Sequence, residues 1–391
     1  MEGRDDGADL GGLATSGEQP FGTSEPDASV LRDGAAVLRQ ALASHGYTAT
    51  AARRMTGAVA AAGGPPAADD YVERRRADLT SIEDDAQGTL LCLFLIGRAL
   101  PERSLERSLG SELLRRLLGA GALVRRVTEA STPQEEAALV FAPVQVYPLE
   151  IPALGAGERP RSLLLTTDWD EESALQLGVH LPDRALAVMP IGVDSLQLAV
   201  GLPPSLFAGK AVLDVCCGSG IVGLVAAAHR ASHVTCTDVS PRALRFTKWN
   251  ASLNELSAVR TDRGSCYEPV RGKRRFDLIT ANPPFVAVPS PGVVRPALYV
   301  DGGVDGADVV RELVGRAGEA LRPGGALVIV AQLPNIDESH VWLAELSPRR
   351  TELTAEIDTE IGTEIGTEIG TEITVVYDPL HTQSSSTYLG T

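Results

Sequence analysis

At 391 residues, with 44% hydrophobic and 22% charged residues, the chain can bury two sizeable cores, which excludes wholesale disorder. Its 35 Lys+Arg against 51 Asp+Glu give a net charge of -16, the wrong sign for a protein built to coat nucleic acid. Five cysteines with no C-x-x-C spacing make neither a disulfide framework nor a zinc site, and suit a reducing cytoplasm.

The opening MEGRDDGADL is acidic and polar where an export signal is basic and then apolar. Residues 1–27 read as a disordered tail, rich in Gly, Asp, Ser and Glu without apolar periodicity. A helix follows, with Val30, Leu31, Val37, Leu38 and Leu42 on one face, ending near Gly46. Gly63-Gly64-Pro65-Pro66 breaks what comes next. Thr80 or Ser81 is the predicted cap of a second helix that carries the longest apolar run, Leu90 to Ile96, and stops between Gly97 and Pro101. That run is far below the roughly 20 residues that span a bilayer, so it reads as a buried helix. Ser111 caps a third predicted helix through Leu113, Leu114, Leu117 and Leu118, closed by Gly119 and Gly121. Two alternating runs, Leu123–Val127 and Ala137–Val146, then surround a polar turn.

Helices followed by a β-hairpin resemble a winged helix, so residues 28–150 are expected to form a mostly helical, winged-helix-like N-terminal domain. As a DNA reader it would place the third helix in a groove and Arg115, Arg116, Arg125 and Arg126 on phosphates. As a dimerisation or substrate-covering domain it would leave those arginines on a solvated face. The acidic balance favours the second role, including a homodimer through this domain.

From about residue 160 strands and helices alternate, and residues 151–391 are expected to form one α/β catalytic domain. Predicted strands are Leu163–Thr166, Ala211–Val215, His233–Asp238, Phe276–Thr280 and Ala326–Ala331, with helices at Ile221–His229, Pro241–Asn254 and Val309–Leu321. The period-four tract Thr359–Ile373, TEIGTEIGTEIGTEI, reads as a loop tip before a last strand, Thr374–Tyr377; an acidic partner-binding flap is the other reading.

Val212-Leu213-Asp214-Val215-Cys216-Cys217-Gly218-Ser219-Gly220 is an apolar strand, an acidic residue near its end and a glycine-rich turn into a helix. Glycines let backbone approach a ligand where a Cβ would clash. The turn lies at the carboxyl end of a strand, where open α/β sheets bind ligands. No G-K-[ST] is present for a P-loop. Gly218-x-Gly220-x-x-Gly223 satisfies a dinucleotide spacing, which alone leaves the nucleotide open. Asp238 ends the next strand, where a carboxylate accepts from ribose hydroxyls. Asp214 tips the choice, because a carboxylate there attracts the cationic methionine part of S-adenosylmethionine and would repel pyrophosphate.

Asn282-Pro283-Pro284-Phe285 follows the strand Phe276–Thr280. With these motifs in this order, residues 160–335 resemble the Rossmann-like S-adenosylmethionine-dependent methyltransferases, above all the small methyltransferase domain group. That group includes release-factor glutamine, ribosomal RNA guanine-N2 and N6-adenine DNA methyltransferases. The resemblance implies a seven-stranded sheet, S-adenosylmethionine as cofactor and no metal. It implies that Gly218 and Gly220, with Cys216 in the same loop, face the cofactor. Asp214 would support its amino-acid end and Asp238 its ribose. Ser265 stands where many relatives have an Asp facing the adenine amino group, so Ser265, Cys266 or Asp262 would take that contact. Asn282 would lie beside the cofactor and bind the substrate nitrogen.

Asn-Pro-Pro-aromatic also has a chemical rationale. An amide or aryl amine nitrogen is a poor nucleophile because its lone pair is delocalised. The Asn282 side-chain carbonyl and the Pro283 backbone carbonyl accept its two N–H bonds and favour a pyramidal nitrogen, stabilising charge as it develops. Tandem prolines stiffen the loop, and Phe285 packs against a planar group or the methylsulfonium. Asp194 or Ser195 is expected either to cover the cofactor or to cap a helix. Asp301–Gly306 either resembles a glycine-rich segment of glutamine methyltransferases or caps the next helix. Cys216 and Cys217 read as packing residues.

The expected activity is methyl transfer to an amino nitrogen of a protein glutamine or a nucleobase. The alternative is a small-molecule, secondary-metabolite O- or N-methyltransferase. A less favoured third reading is a non-enzymatic, cofactor-binding DNA regulator.

Overall fold

A computed structural model describes residues 28–58, 65–73, 85–127, 138–155, 157–179, 186–272, 275–288, 296–331, 355–358, 362–367 and 371–376. The tail 1–27 and the predicted caps Thr80 and Ser81 lie outside these residues. Helix α1 (Ala28–Ser44) buries the expected face, with Leu31, Leu38 and Leu42 beside Gly34, Ala35 and Ala41. α2 (Ala49–Thr56) begins where the Thr48 side chain accepts from the Ala51 N–H and ends at Gly57 in the left-handed region. α3 (Ala68–Glu73) follows. α4 (Ala86–Leu91) is capped by Asp85 and runs on as a π-helical turn, Cys92–Ile96, with every side chain buried.

β1 (Leu100–Pro101) leads into α5 (Glu102–Leu109), unrecognised in the sequence because only Leu105 and Leu109 face inward. Gly110, not Ser111, occupies the cap position of α6 (Ser111–Gly119). β2 (Val124–Val127) and β3 (Ala138–Phe141) pair antiparallel, and β1 pairs with the other edge of β3. The run predicted as one strand, Ala137–Val146, is split, because β4 (Gln145–Ile151) starts anew after Phe141. β4 pairs antiparallel with β5 (Arg161–Thr167) in a separate two-stranded sheet, so Leu163–Thr166 is not part of the parallel sheet. A short connection permits antiparallel pairing, whereas parallel pairing needs a long crossover.

After α7 (Glu171–Leu177) and α8 (Val193–Val200) the alternation begins. It runs β6 (Ala211–Val215), α9 (Ile221–Ala228), β7 (His233–Asp238), α10 (Pro241–Leu253), β8 (Val259–Arg263), β9 (Phe276–Ala281), α11 (Asp308–Arg316), β10 (Leu321–Val330). These strands lie in the order β8-β7-β6-β9-β10, all parallel, an α/β Rossmann-like sheet. Strand order reverses between β6 and β9, which opens a crevice at their carboxyl ends. β8 escaped the sequence reading because Val-Arg-Thr-Asp-Arg is a half-exposed edge strand without apolar alternation.

β11 (Ala355–Asp358), β12 (Gly362–Thr367) and β13 (Thr371–Val376) extend the sheet beyond β10. β13 pairs parallel with β10, and β12 and β11 then pair antiparallel in turn. The sheet therefore has eight strands among the described residues, not seven. The described residues of the tract expected to be a loop tip, 362–367 and 371–373, are in strands. Every second residue of β12 from Thr363 is β-branched, which suits extended backbone.

The two faces of the sheet divide by strand alternation. Val212, Leu278 and Val328 join one core; Leu213, Ile279 and Leu327 join the other, under α11. The first core is continuous with Leu31, Leu38 and Leu42 of α1, which lies against α10. Asn250 of α10 and Asn254 at its C-cap, one turn apart, stand in for a strand neighbour of β5. Asn254 accepts from Leu164 N–H and donates to its carbonyl; Asn250 does the same for Thr166.

Candidate active site

The loop after β6 carries three positive φ angles, at Cys216 (55°), Gly218 (53°) and Gly220 (83°). A Cβ on Gly218 would meet nothing within 4 Å and would project where the loop borders a cavity at the carboxyl ends of β6, β7 and β9. Gly220 does not line the cavity, contrary to the expectation that it faces a cofactor. A Cβ there would meet the Thr247 side chain at 2.8 Å, so this glycine lets α9 start against α10. Gly223 likewise sits against Cys236 of β7. The loop is held from behind: Thr247 donates to the Gly218 carbonyl (3.1 Å), and Asn250 donates to the Ser219 carbonyl (2.9 Å).

Asp214 is buried, and both its oxygens are engaged. One accepts the Gly223 N–H at 3.0 Å and the other the Thr280 hydroxyl at 3.0 Å. Burial pushes its carboxyl up to about 7, although those two hydrogen bonds favour the charged form and Asp238 nearby disfavours it. Asp238, at the end of β7, accepts the Gly218 N–H (3.0 Å) and the Ser240 N–H (2.8 Å). Burial raises its carboxyl above the ordinary value, against the pull of these backbone donors. Of the three candidates for an adenine contact, Ser265 and Cys266 line the cavity, while Asp262 sits on β8 and does not. Burial raises the thiols of Cys216, Cys217 and Cys266, the last to about 11, so they remain protonated packing groups.

Asn282, Pro283, Pro284 and Phe285 follow β9 into the same cavity. The Asn282 amide nitrogen donates to the Asp194 carboxylate (3.0 Å) and the Ser195 hydroxyl (3.1 Å). Both partners are in the first turn of α8 and line the cavity; the cap position expected for one of them is held by Gly192, without a side-chain capping bond. The Asp301–Gly306 segment buttresses the Asn-Pro-Pro-Phe loop as well as preceding α11. Gly302 N–H donates to the Val286 carbonyl (2.9 Å) and Val288 N–H to the Gly303 carbonyl (2.8 Å). A Cβ on Gly306 would strike the Phe285 carbonyl at 2.5 Å, which explains a glycine there.

Asp168 and Arg242 went unrecognised in the sequence. Arg242, in the first turn of α10, donates from Nε to Asp168 at 2.8 Å and from a second nitrogen to its other oxygen, with both residues buried. The same carboxylate accepts the Val188 N–H (2.9 Å), and Val188 is part of the wall formed by Ala187, Val188, Met189 and Ile191. The wall is pinned again where Ala68 N–H donates to the Ile191 carbonyl (2.9 Å). The pair joins residues 74 apart, and no local pattern announces it.

Among the described residues four carboxylates line the cavity, those of Asp194, Asp214, Asp238 and Asp301, and no Lys, Arg or His does. The carboxylates of Asp214 and Asp238, acceptors at the ends of β6 and β7, suit a cationic nucleoside such as S-adenosylmethionine and oppose the pyrophosphate of a dinucleotide. Open space lies over Gly218, whose N–H is held by Asp238.

Residues 194–345 match the profile of the methyltransferase small domain family. This stretch is a methyltransferase small domain. The ribosomal protein uL3 glutamine methyltransferase of Bradyrhizobium diazoefficiens is 40% identical over 125 residues, 30% of this chain and 39% of that protein. The release factor glutamine methyltransferase of Deinococcus radiodurans is 36% identical over 188 residues, 44% of this chain and 66% of that protein. The match to the Xylella fastidiosa (strain Temecula1) release factor glutamine methyltransferase spans 46% of its length, so the chain covers less than half of some of these relatives. Among solved structures, the Thermus thermophilus 16S rRNA N2 G1207 methyltransferase is 19% identical, covering 58% of this chain and 53% of that one with a TM-score of 0.32. The matched stretch contains every cavity-lining carboxylate of this site, its glycines from Gly218 to Gly306 and the Asn-Pro-Pro-Phe residues, while Asp168 precedes it.

Proposed function

We propose that the protein is an S-adenosylmethionine-dependent methyltransferase acting on an amino nitrogen, and that the acceptor is a protein glutamine. The observation that carries this is the commitment of Asn282 Nδ2 to Asp194 and Ser195. It leaves Oδ1 to accept an N–H bond of a nitrogen acceptor, a role the Pro283 carbonyl would share. When bound, the cofactor supplies an electrophilic methyl group on a sulfonium. Asp214 would hold its ammonium end, Asp238 its ribose, and Ser265 or Cys266 its adenine, with Cys216 and Gly218 forming the floor. Phe285 would wall the reacting centre, and close positioning would supply much of the rate. The glutamine acceptor follows the printed activities of the relatives from Bradyrhizobium and Deinococcus.

The N-terminal part, with its winged-helix-like order of helices and hairpin, is read here as a cover for the site and not as a DNA reader. Its four suspected arginines are occupied within the protein. Arg115 pairs with Glu112, Arg125 with Glu102, Arg116 donates to Gln40, and Arg126 donates to the Leu177 carbonyl. Among the described residues no helix is long and apolar enough to cross a membrane. A cytoplasmic protein substrate is consistent with free cysteines throughout.

Methyl-labelled S-adenosylmethionine added with the protein to a cell extract tests the proposal. Label should enter protein and be released as methylamine on acid hydrolysis, the product of an N-methyl amide. Label confined to RNA would move the acceptor to a nucleobase, and label only in small molecules would defeat the reading.

The raised Asp214 carboxyl gives a pH dependence with a definite sign. Folding favours the protonated form, so this residue's contribution to stability is present below the ordinary carboxylate range and is lost as pH rises through about 7. Cofactor binding runs the other way, because the ionised carboxylate attracts the cation. Affinity should weaken as pH falls below about 7, by up to about tenfold per unit. Calorimetry with S-adenosylmethionine across this range should show that dependence, flattened in Asp214→Asn. An unchanged slope in the variant would remove Asp214 from the binding site.

A further inference from the structure

We infer that Asp194 and Ser195 are positioning residues that select which atom of the Asn282 amide meets the acceptor, and so select an N–H-bearing acceptor over an oxygen one. The inference rests on the amino-nitrogen reading above. A primary amide is nearly symmetric in shape, and its oxygen and nitrogen can exchange places by a half-turn of the terminal bond. Nothing in Asn-Pro-Pro-Phe itself decides between the two orientations. The decision comes from α8. A carboxylate can only accept hydrogen bonds, so the Asp194 oxygen 3.0 Å away must face the amide NH2. The nearly buried Ser195 hydroxyl, 3.1 Å from the same nitrogen, takes the second N–H. The Asp194 carboxylate is itself anchored, since its other oxygen accepts the Ser195 N–H at 2.7 Å. Its place in the first turn of α8 favours negative charge there.

With both N–H bonds spoken for, Oδ1 is the atom offered to the acceptor. A nitrogen bearing hydrogens can donate to it, whereas a carboxylate of the same shape would bring lone pair against lone pair. The arrangement therefore distinguishes glutamine from glutamate by the polarity of one hydrogen bond. A site built to bond a substrate N–H rejects the isostere lacking it more strongly than shape alone can. Flipping the amide would reverse that preference and point NH2 groups at a donor.

The test reverses the polarity of the Asp194–Asn282 bond. Asp194→Asn gives Asn282 a neighbour able to donate and so permits the flipped orientation. Adding Asn282→Asp restores an acceptor facing the substrate while the position-194 amide donates to its second oxygen. Turnover is read as methyl label entering extract protein, and cofactor affinity by calorimetry with S-adenosylmethionine alone. Asp194→Asn should lower turnover by about 10- to 100-fold, as misplacement of a reacting partner does, with cofactor Kd within about threefold of wild type. The double variant should turn over at least about fivefold faster than Asp194→Asn, a recovery that a merely structural role would not produce. Wild-type turnover in Asp194→Asn, or a double variant no better than the single one, overturns the inference. So does a parallel loss of cofactor affinity, which would place Asp194 on the cofactor instead. Failure of the wild-type protein to label either protein or RNA would sink the amino-nitrogen reading itself, a separate result.

Discussion

Replacing Asn282 with Ala should lower kcat by about 10²–10³ while leaving S-adenosylmethionine affinity close to wild type. The side chain approaches the site from β9, and its nitrogen is tied to α8 and not to the Gly218 loop or Asp238. Its oxygen is therefore available to a nitrogen whose N–H bonds strengthen as positive charge grows on it. An interaction of that kind, stronger in the transition state than in the ground state, is lost from kcat more than from KM. A hydroxyl acceptor would depend on a general base, which an amide cannot be, and would tolerate the change. Label transfer into extract protein, set beside calorimetry on the same sample, checks both halves. A near-normal kcat would end the amino-nitrogen mechanism, and joint loss of binding and turnover would show that the loop had collapsed.

Arg242→Ala should destabilise the fold by about 3–5 kcal/mol, the cost of leaving a buried carboxylate without its partner. Asp168 is 1% exposed, and its remaining donor would be the Val188 N–H. The guanidinium also lies over the Phe246 ring, 5.2 Å from its centre, so packing is lost with the charge. Because Asp168 holds Val188, the wall over the cavity should loosen together with the fold, and cofactor affinity should fall even at temperatures where the variant stays folded. Urea unfolding followed by fluorescence measures the first effect. The paired change Asp168→Asn/Arg242→Met should be markedly less destabilised than Arg242→Ala, since no unpaired charge remains buried. Equal stability of the two variants would mean that packing, and not the ion pair, carries the interaction.

The parallel sheet and its ligand crevice were legible because each element announces itself locally. Ala211–Val215 is an apolar run stopped by glycines, and Pro241–Leu253 opens with Ser240 and Pro241 as cap and first residue. Asp214, Asp238, Cys216, Gly218, Ser265 and Asn282 reach one cavity because strand ends in an open α/β sheet converge there. Sequence spacing does not say which side of a turn a glycine faces, so the packing of Gly220 against Thr247 was not legible. β8 and α5 carry too few apolar residues to show a period. The Asp168–Arg242 pair and the asparagines Asn250 and Asn254 were out of reach for another reason. They act across long sequence separations on backbone and charge, and residues of their type are ordinarily solvent-facing.

The contact between α1 and α10 gives the front of the chain a thermodynamic stake in the site. Gly34 lies so close to the Trp249 ring that a Cβ there would come within 3.0 Å of it. The same α10 carries Ala243 into the cavity wall, beside its N-cap Ser240. One continuous apolar core reaches from Leu31 to Val330. Local opening of α1 would thus uncover Trp249 and slacken the helix that frames the ligand, and ligand occupancy would resist that opening in return. If that continuity makes the N-terminal helices one cooperative unit with the cavity, cofactor binding should slow amide exchange in α1.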